Sequence, residues 1–126
     1  MSQYVAWLST MPDAEAATFA TGLLDFGEPG HEAFARGLQG PRRLVYLQAW
    51  PRDSRVVPRI VAEAALAPVD RKTPPGEVAM LLSLAYSSFP DSAAGALAAL
   101  EKRVDPSLRP LVAPALERVR FRAAVP

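Results

Sequence analysis

The sequence predicts an all-α protein, and three observations carry that expectation. Alanine is abundant while isoleucine occurs once, at Ile60, and alanine favours helices where β-branched residues favour strands. Apolar residues recur three and four positions apart along most of the chain. Prolines and acids repeatedly stand where helices begin. The architecture expected is a compact bundle, or a short helical-repeat-like stack, of six to seven helices ending in a proline-kinked C-terminal helix. Its 126 residues, half of them hydrophobic, suffice for one domain, residues 1–126, with its own core.

The elements follow in order. Ser2–Ser9 reads as a short opening helix carrying Tyr4, Val5, Trp7 and Leu8. Pro12 is placed to lead a second helix, with Asp13 and Glu15 in its first turn and Phe19, Leu23 and Phe26 at helical spacing before Gly27 closes it. A third helix is expected over residues 31–39 with Phe34 and Leu38 inward, ended by Gly40 and Pro41. Residues 42–50, RRLVYLQAW, read as helix in preference to strand because no partner strand is evident nearby, and Pro51 stops them.

Ser54 is the expected cap of a helix reaching Leu66, with Val57, Ile60, Val61 and Ala64 as its buried stripe. Residues 68–76 form a connector in which Thr73 caps, Pro74 leads and Glu77 completes a capping box. Residues 78–86, VAMLLSLAY, are almost wholly apolar. A helix apolar on all sides belongs in the middle of the packing. Asp91 is placed to cap a further helix with Leu97, Leu100 and Val104 on one face.

The last segment, DPSLRPLVAPALERVRF at 105–121, has prolines at 106, 110 and 114. An interior helical proline costs about 3 kcal/mol. The expected solution is a short turn at 106–109 and a restart, with Leu111, Val112, Leu116 and Val119 reaching the core. Residues 53–66 and 105–118 both place Asp five residues before Pro, a weak internal echo.

Catalytic signatures are missing. With no cysteine and His31 as the only histidine, disulfides, thiol catalysis and an ordinary structural zinc site fall away. The chain contains neither a GxGxxG nor a GxxxxGK[ST] loop, and no GxSxG elbow. His31 beside Glu28 or Glu32 reads as a solvated helix start, and the acid pairs Asp13/Glu15 and Glu28/Glu32 as helix-dipole acids. No enzyme activity, cofactor or metal is expected. The N-terminal stretch lacks the basic leader of a signal peptide. Residues 78–86 are about half the roughly 20 residues a membrane helix needs, so the expected setting is cytoplasmic.

Charge is segregated. The net value of +1 comes from a balance of −4 over residues 1–40, +4 over 41–59, −3 over 60–101 and +4 over 102–126. Twelve of the fourteen basic residues are arginines. The candidate contact residues are Arg42, Arg43, Arg52, Arg55 and Arg59 with Trp50 among them, and Arg118, Arg120 and Arg122. Trp and Arg are enriched in interface hot spots. The function expected is a non-catalytic protein-interaction or regulatory (adaptor) module whose partner is another protein, with self-association left open. The alternative is a nucleic-acid-binding protein using the arginine-rich segments 42–59 and 102–122 as a phosphate footprint.

Overall fold

The computed structural model describes residues 2–53 and 55–124, with side chains up to Phe121 in the final helix. Among the described residues there are eight α-helices, three 3-10 turns and no strand. The all-α expectation holds, with one or two more helices than the six to seven expected. No helix among the described residues is long and apolar enough to cross a membrane. The backbone separates into two compact units, Met1–Asp53 and Ser54–Pro126, where the sequence alone suggests one domain of 1–126.

In the first unit α1 (Ser2–Ser9), α2 (Asp13–Ala20), α3 (Gly27–Gln39) and α4 (Arg43–Gln48) follow the expected order. A 3-10 turn at Thr21–Asp25 replaces the continuation of α2, and Pro12 stands one position outside the helix as its N-cap. Its carbonyl accepts the first helical bond from the Ala16 N–H at 2.9 Å. Gly27 has φ +69°, a left-handed conformation that glycine alone adopts without strain. It lets α3 start four residues earlier than expected.

Leu23, Phe34, Leu38 and Leu47 are fully buried in this unit. So is Trp50, which meets the Phe34 ring edge-on at 6.4 Å between centroids. Trp50, two residues beyond the short helix α4, thus supplies the largest core side chain. Thr21 Oγ1 donates to the Ala49 carbonyl, tying the 3-10 turn to the end of α4.

The second unit contains α5 (Arg59–Leu66), α6 (Pro75–Ser88), α7 (Ala94–Leu100) and α8 (Arg109–Ala124), with 3-10 turns at Asp91–Ala93 and Pro106–Leu108. α8 packs along both α6 and α7, and α5 meets α6 and α7. The core joins Val61 and Leu66 of α5, Leu81 of α6, Leu97 and Leu100 of α7 and Val119 of α8.

Several local expectations change here. α5 starts at Arg59 with Pro58 as an N-cap of extended backbone, and the Val57 N–H donates to the Ser88 carbonyl at 2.9 Å. Ser54, the expected cap, lies outside the described residues. Ile60 is 43% exposed while its neighbour Val61 is fully buried. Adjacent helical residues point about 100° apart and cannot share one narrow stripe. Thr73 does not cap α6. Its hydroxyl accepts the Asp70 N–H within the preceding turn, and Pro74 and Pro75 lead the helix. α6 is not buried all round: Val78, Leu81, Leu82 and Ala85 face the core, while Ala79, Ser83 and Tyr86 are exposed.

The proline-rich end partly follows expectation. Asp105 caps the turn at Pro106 by accepting the Ser107 N–H at 2.9 Å. The chain restarts at Arg109, so Pro110 falls in the first turn, where its missing N–H costs nothing. Pro114, however, lies inside α8. The Pro110 carbonyl therefore receives no helical bond from it. Leu111 is 50% exposed instead of reaching the core. The echo of 53–66 in 105–118 does not extend to position, since Pro58 precedes its helix and Pro110 lies within one.

Candidate interaction surface

The arginines divide by what their guanidinium groups meet. A helix leaves its last carbonyls without intrahelical donors, and a planar fork of N–H groups at that negative end satisfies them well. Arg42 does this for α1. It donates to the Leu8 carbonyl at 3.1 Å and the Met11 carbonyl just beyond at 2.8 Å, and it pairs with Asp13 Oδ1 at 2.8 Å. Arg43 donates to the Leu38 carbonyl in the last turn of α3 at 3.0 Å. Arg103 reaches the Leu66 and Ala67 carbonyls at the end of α5, and Arg109 the Glu101 carbonyl after α7. Four helices thus end on an arginine.

The predicted contact residues sort accordingly. Arg42 and Arg43 are adjacent in sequence but serve different carbonyls. Trp50, expected beside Arg52 and Arg55 as a contact spot, is 1% exposed and packs as core. Its partner Phe34 draws the ring inward. Arg52 and Arg55 are exposed. Arg59 forms a hydrogen-bonded pair with Glu63 one turn on, which holds its guanidinium pKa above the usual value. Arg118 and Arg120 come together on one feature. Arg122 belongs to α8, and its side chain lies outside the described residues.

That feature is a cleft along α6 and α8. Tyr86, Pro114, Glu117, Arg118, Arg120 and Phe121 line a cavity of about 730 Å³. A second hollow of about 240 Å³ continues from it over Ala79, Leu82, Ser83, Leu111 and Ala115, sharing Tyr86 and Pro114. Tyr86, Leu111 and Phe121 are each half exposed or more. Exposed apolar side chains gathered on one surface mark binding sites more often than scattered ones do. The Arg118 guanidinium carbon lies 5.6 Å from the Tyr86 ring centroid, a cation–π contact that fixes the charge at the rim. Glu117 shares that rim, so its local balance is one positive charge.

Sequence reasoning missed Tyr86, Leu111, Pro114 and Phe121 as surface residues. A signal existed: Leu111, Pro114, Arg118 and Phe121 recur every three or four positions, a second stripe beside the buried Val112, Ala115 and Val119. A helix with two apolar stripes has more than one face to cover.

Nothing in this cleft or elsewhere among the described residues assembles three metal-ligating side chains. His31 lies one turn inside α3, and its Nε2 is 3.1 Å from the Leu24 carbonyl. No protein-family model, curated protein or solved structure matches the chain.

Proposed function

We propose that the chain is a non-catalytic protein-interaction module, and that the α6–α8 cleft binds an amphipathic helix of a partner protein. One observation carries the reading: a continuous trough with an apolar floor, exposed aromatic walls and two rim arginines. From Leu111 to Phe121 the trough runs about 15 Å, the rise of ten helical residues. Three turns of a partner helix match that length, with apolar side chains at i, i+4 and i+7 facing down. Carboxylates on its flank would meet Arg118 and Arg120, which charge complementarity favours.

The arginine distribution weighs against the nucleic-acid alternative. A phosphate footprint needs guanidinium groups free to neutralise phosphates, whereas Arg42, Arg43, Arg103 and Arg109 already donate to carbonyls of the fold.

The test uses three fluorescent peptides with one common Leu/Phe stripe and glutamate, glutamine or lysine on the opposite face. Anisotropy is measured at about 150 mM salt, near the physiological screening length. The glutamate peptide should bind best, and Phe121→Ser and the double variant Arg118→Gln/Arg120→Gln should each weaken it. Indifference of all three peptides to both variants would remove the cleft from consideration. Tight duplex DNA binding at that salt, lost in Arg118→Gln/Arg120→Gln, would favour the alternative.

A further inference from the structure

A second exposed apolar feature lies in the first unit and shares no residue with the cleft. Four aromatic rings form a row: Phe26, Tyr4, Trp7 and Phe19. Successive centroids are 5.2, 5.6 and 5.2 Å apart. Trp7, Phe19 and Phe26 are 43–49% exposed. Rings from α1, from α2 and from the end of the 3-10 turn thus converge on the surface of the unit. The row is held in place. The Tyr4 hydroxyl donates to the Phe19 carbonyl at 2.6 Å and lies over Gly22, where a Cβ would come within 2.8 Å of it.

Acidic residues border the row. Glu15 is exposed on α2, one helical turn before Phe19, so the two share a face. Asp25 precedes Phe26 and lies near enough to Tyr4 to raise its phenol pKa, after the larger effect of burial. Glu28 is exposed two residues beyond Phe26. Three of the unit's arginines engage other parts of it. Arg42 and Arg43 serve the carbonyls already described. Arg36 lines a separate hollow with Val5, and Val5 projects about 100° from Tyr4 and about 200° from Trp7 around α1.

We propose that this aromatic row, bordered by Glu15 and Glu28, docks a segment of another protein that carries arginine or lysine beside apolar side chains. The chemistry is complementary on both counts. Guanidinium groups stack on exposed indole and phenyl faces, and the carboxylates at the edges hold the same cations in register. The acids disfavour the other occupants. A second copy packed row against row would bring like charge against like, and an anionic membrane surface would be repelled.

Trp7 is the reporter, since Trp50 is buried. Its fluorescence is followed while the full chain is titrated with two synthetic peptides of identical Leu/Phe content, one carrying arginine and the other glutamate at the charged positions. The arginine peptide should change Trp7 emission saturably and bind about tenfold more tightly than its glutamate counterpart, with the preference shrinking as salt screens the edge charges. The double variant Glu15→Lys/Glu28→Lys leaves every ring in place and should abolish or invert the preference. Phe121→Ser should leave this titration unchanged, so the row and the cleft are tested separately. Equal affinity for both peptides, no saturable change, or a preference that survives charge reversal would each overturn the proposal. So would sedimentation showing that a second copy covers Trp7.

Discussion

Gly30→Ala and Gly95→Ala are the same chemical change in two helices, and the structure gives them opposite signs. In an open helix interior, alanine is preferred to glycine by about 0.5–1 kcal/mol. Gly95 on α7 meets nothing within 4 Å of an added Cβ, so Gly95→Ala should stabilise by about that amount. Gly30 on α3 is different. A Cβ there would lie 1.8 Å from the Leu23 carbonyl oxygen and 2.9 Å from the Phe26 Cβ. The obstacle is backbone, which cannot swing aside as a side-chain tip can. Leu23 is fully buried, and its carbonyl accepts the Phe26 N–H at 3.2 Å. Relief requires moving the 3-10 turn off α3.

Overpacking of this kind costs about 1–3 kcal/mol and sometimes more. The strained hydrogen bond adds about 1 kcal/mol. Set against the propensity gain, Gly30→Ala should lose at least about 1 kcal/mol. Urea denaturation followed by far-UV circular dichroism and by tryptophan fluorescence measures both variants, and two probes are needed because two units need not unfold together. A midpoint for Gly30→Ala equal to or above that of the parent would refute the close approach of the turn to α3. A destabilised Gly95→Ala would refute the open environment on α7.

The remaining predictions concern the other elements. Leu81→Ala should destabilise by about 2–5 kcal/mol in the same urea assay, because Leu81 is fully buried on the inner face of α6. Arg42→Lys should lose about 1.5–3 kcal/mol, because an ammonium cannot fork across the Leu8 and Met11 carbonyls; a phosphate-binding arginine would show no such loss. Pro114→Ala restores a donor to the Pro110 carbonyl and should stabilise by about 2 kcal/mol after the added freedom of the unfolded chain is deducted, while weakening binding of the glutamate peptide to the cleft. Hydrogen bonds from the Ser107 N–H and hydroxyl hold the Asp105 carboxyl below its ordinary pKa of 3.8. Its contribution is therefore present above that value and lost as pH falls through the lowered one. The stability of the parent relative to Asp105→Asn should be constant near neutrality and shrink on acidification, as read from thermal midpoints across the acid range.

Helices were legible in the sequence wherever apolar spacing and stop residues agreed. Phe34 and Leu38 before Gly40, and Leu97 and Leu100 on α7, are legible from local pattern alone, whereas Asp91 opens the 3-10 turn before α7 without capping it and Val104 is buried beyond the end of that helix. Faces were less legible than helices. Ile60 and Val61, or Leu111 and Val112, are adjacent apolar pairs of which only one can face the core, and the packing partner decides which. Trp50 carries no local mark of burial, since Phe34 lies sixteen residues away in the sequence. The arginines were the hardest to read. Arg42 meets a carbonyl 34 positions back, and Arg103 one 37 positions back. A block of positive charge looks the same in sequence whether it ends helices or meets phosphate.

That distinction bears on what the surface of the second unit is for. Arg103 and Arg109 are accounted for by the carbonyls they satisfy, and replacing either would be felt as lost stability. The stripe on α8 has no such account. Leu111 and Phe121 are about half exposed, and Pro114 interrupts the hydrogen bonding of the helix it belongs to. Serine or lysine at the two exposed positions would solvate better, and alanine at the third would make a better helix. All three side chains border the hollows along α6, and the neighbouring arginine is held against Tyr86 rather than at a helix end. Features that cost the fold something and converge on one exposed trough are where a binding role is most economically placed.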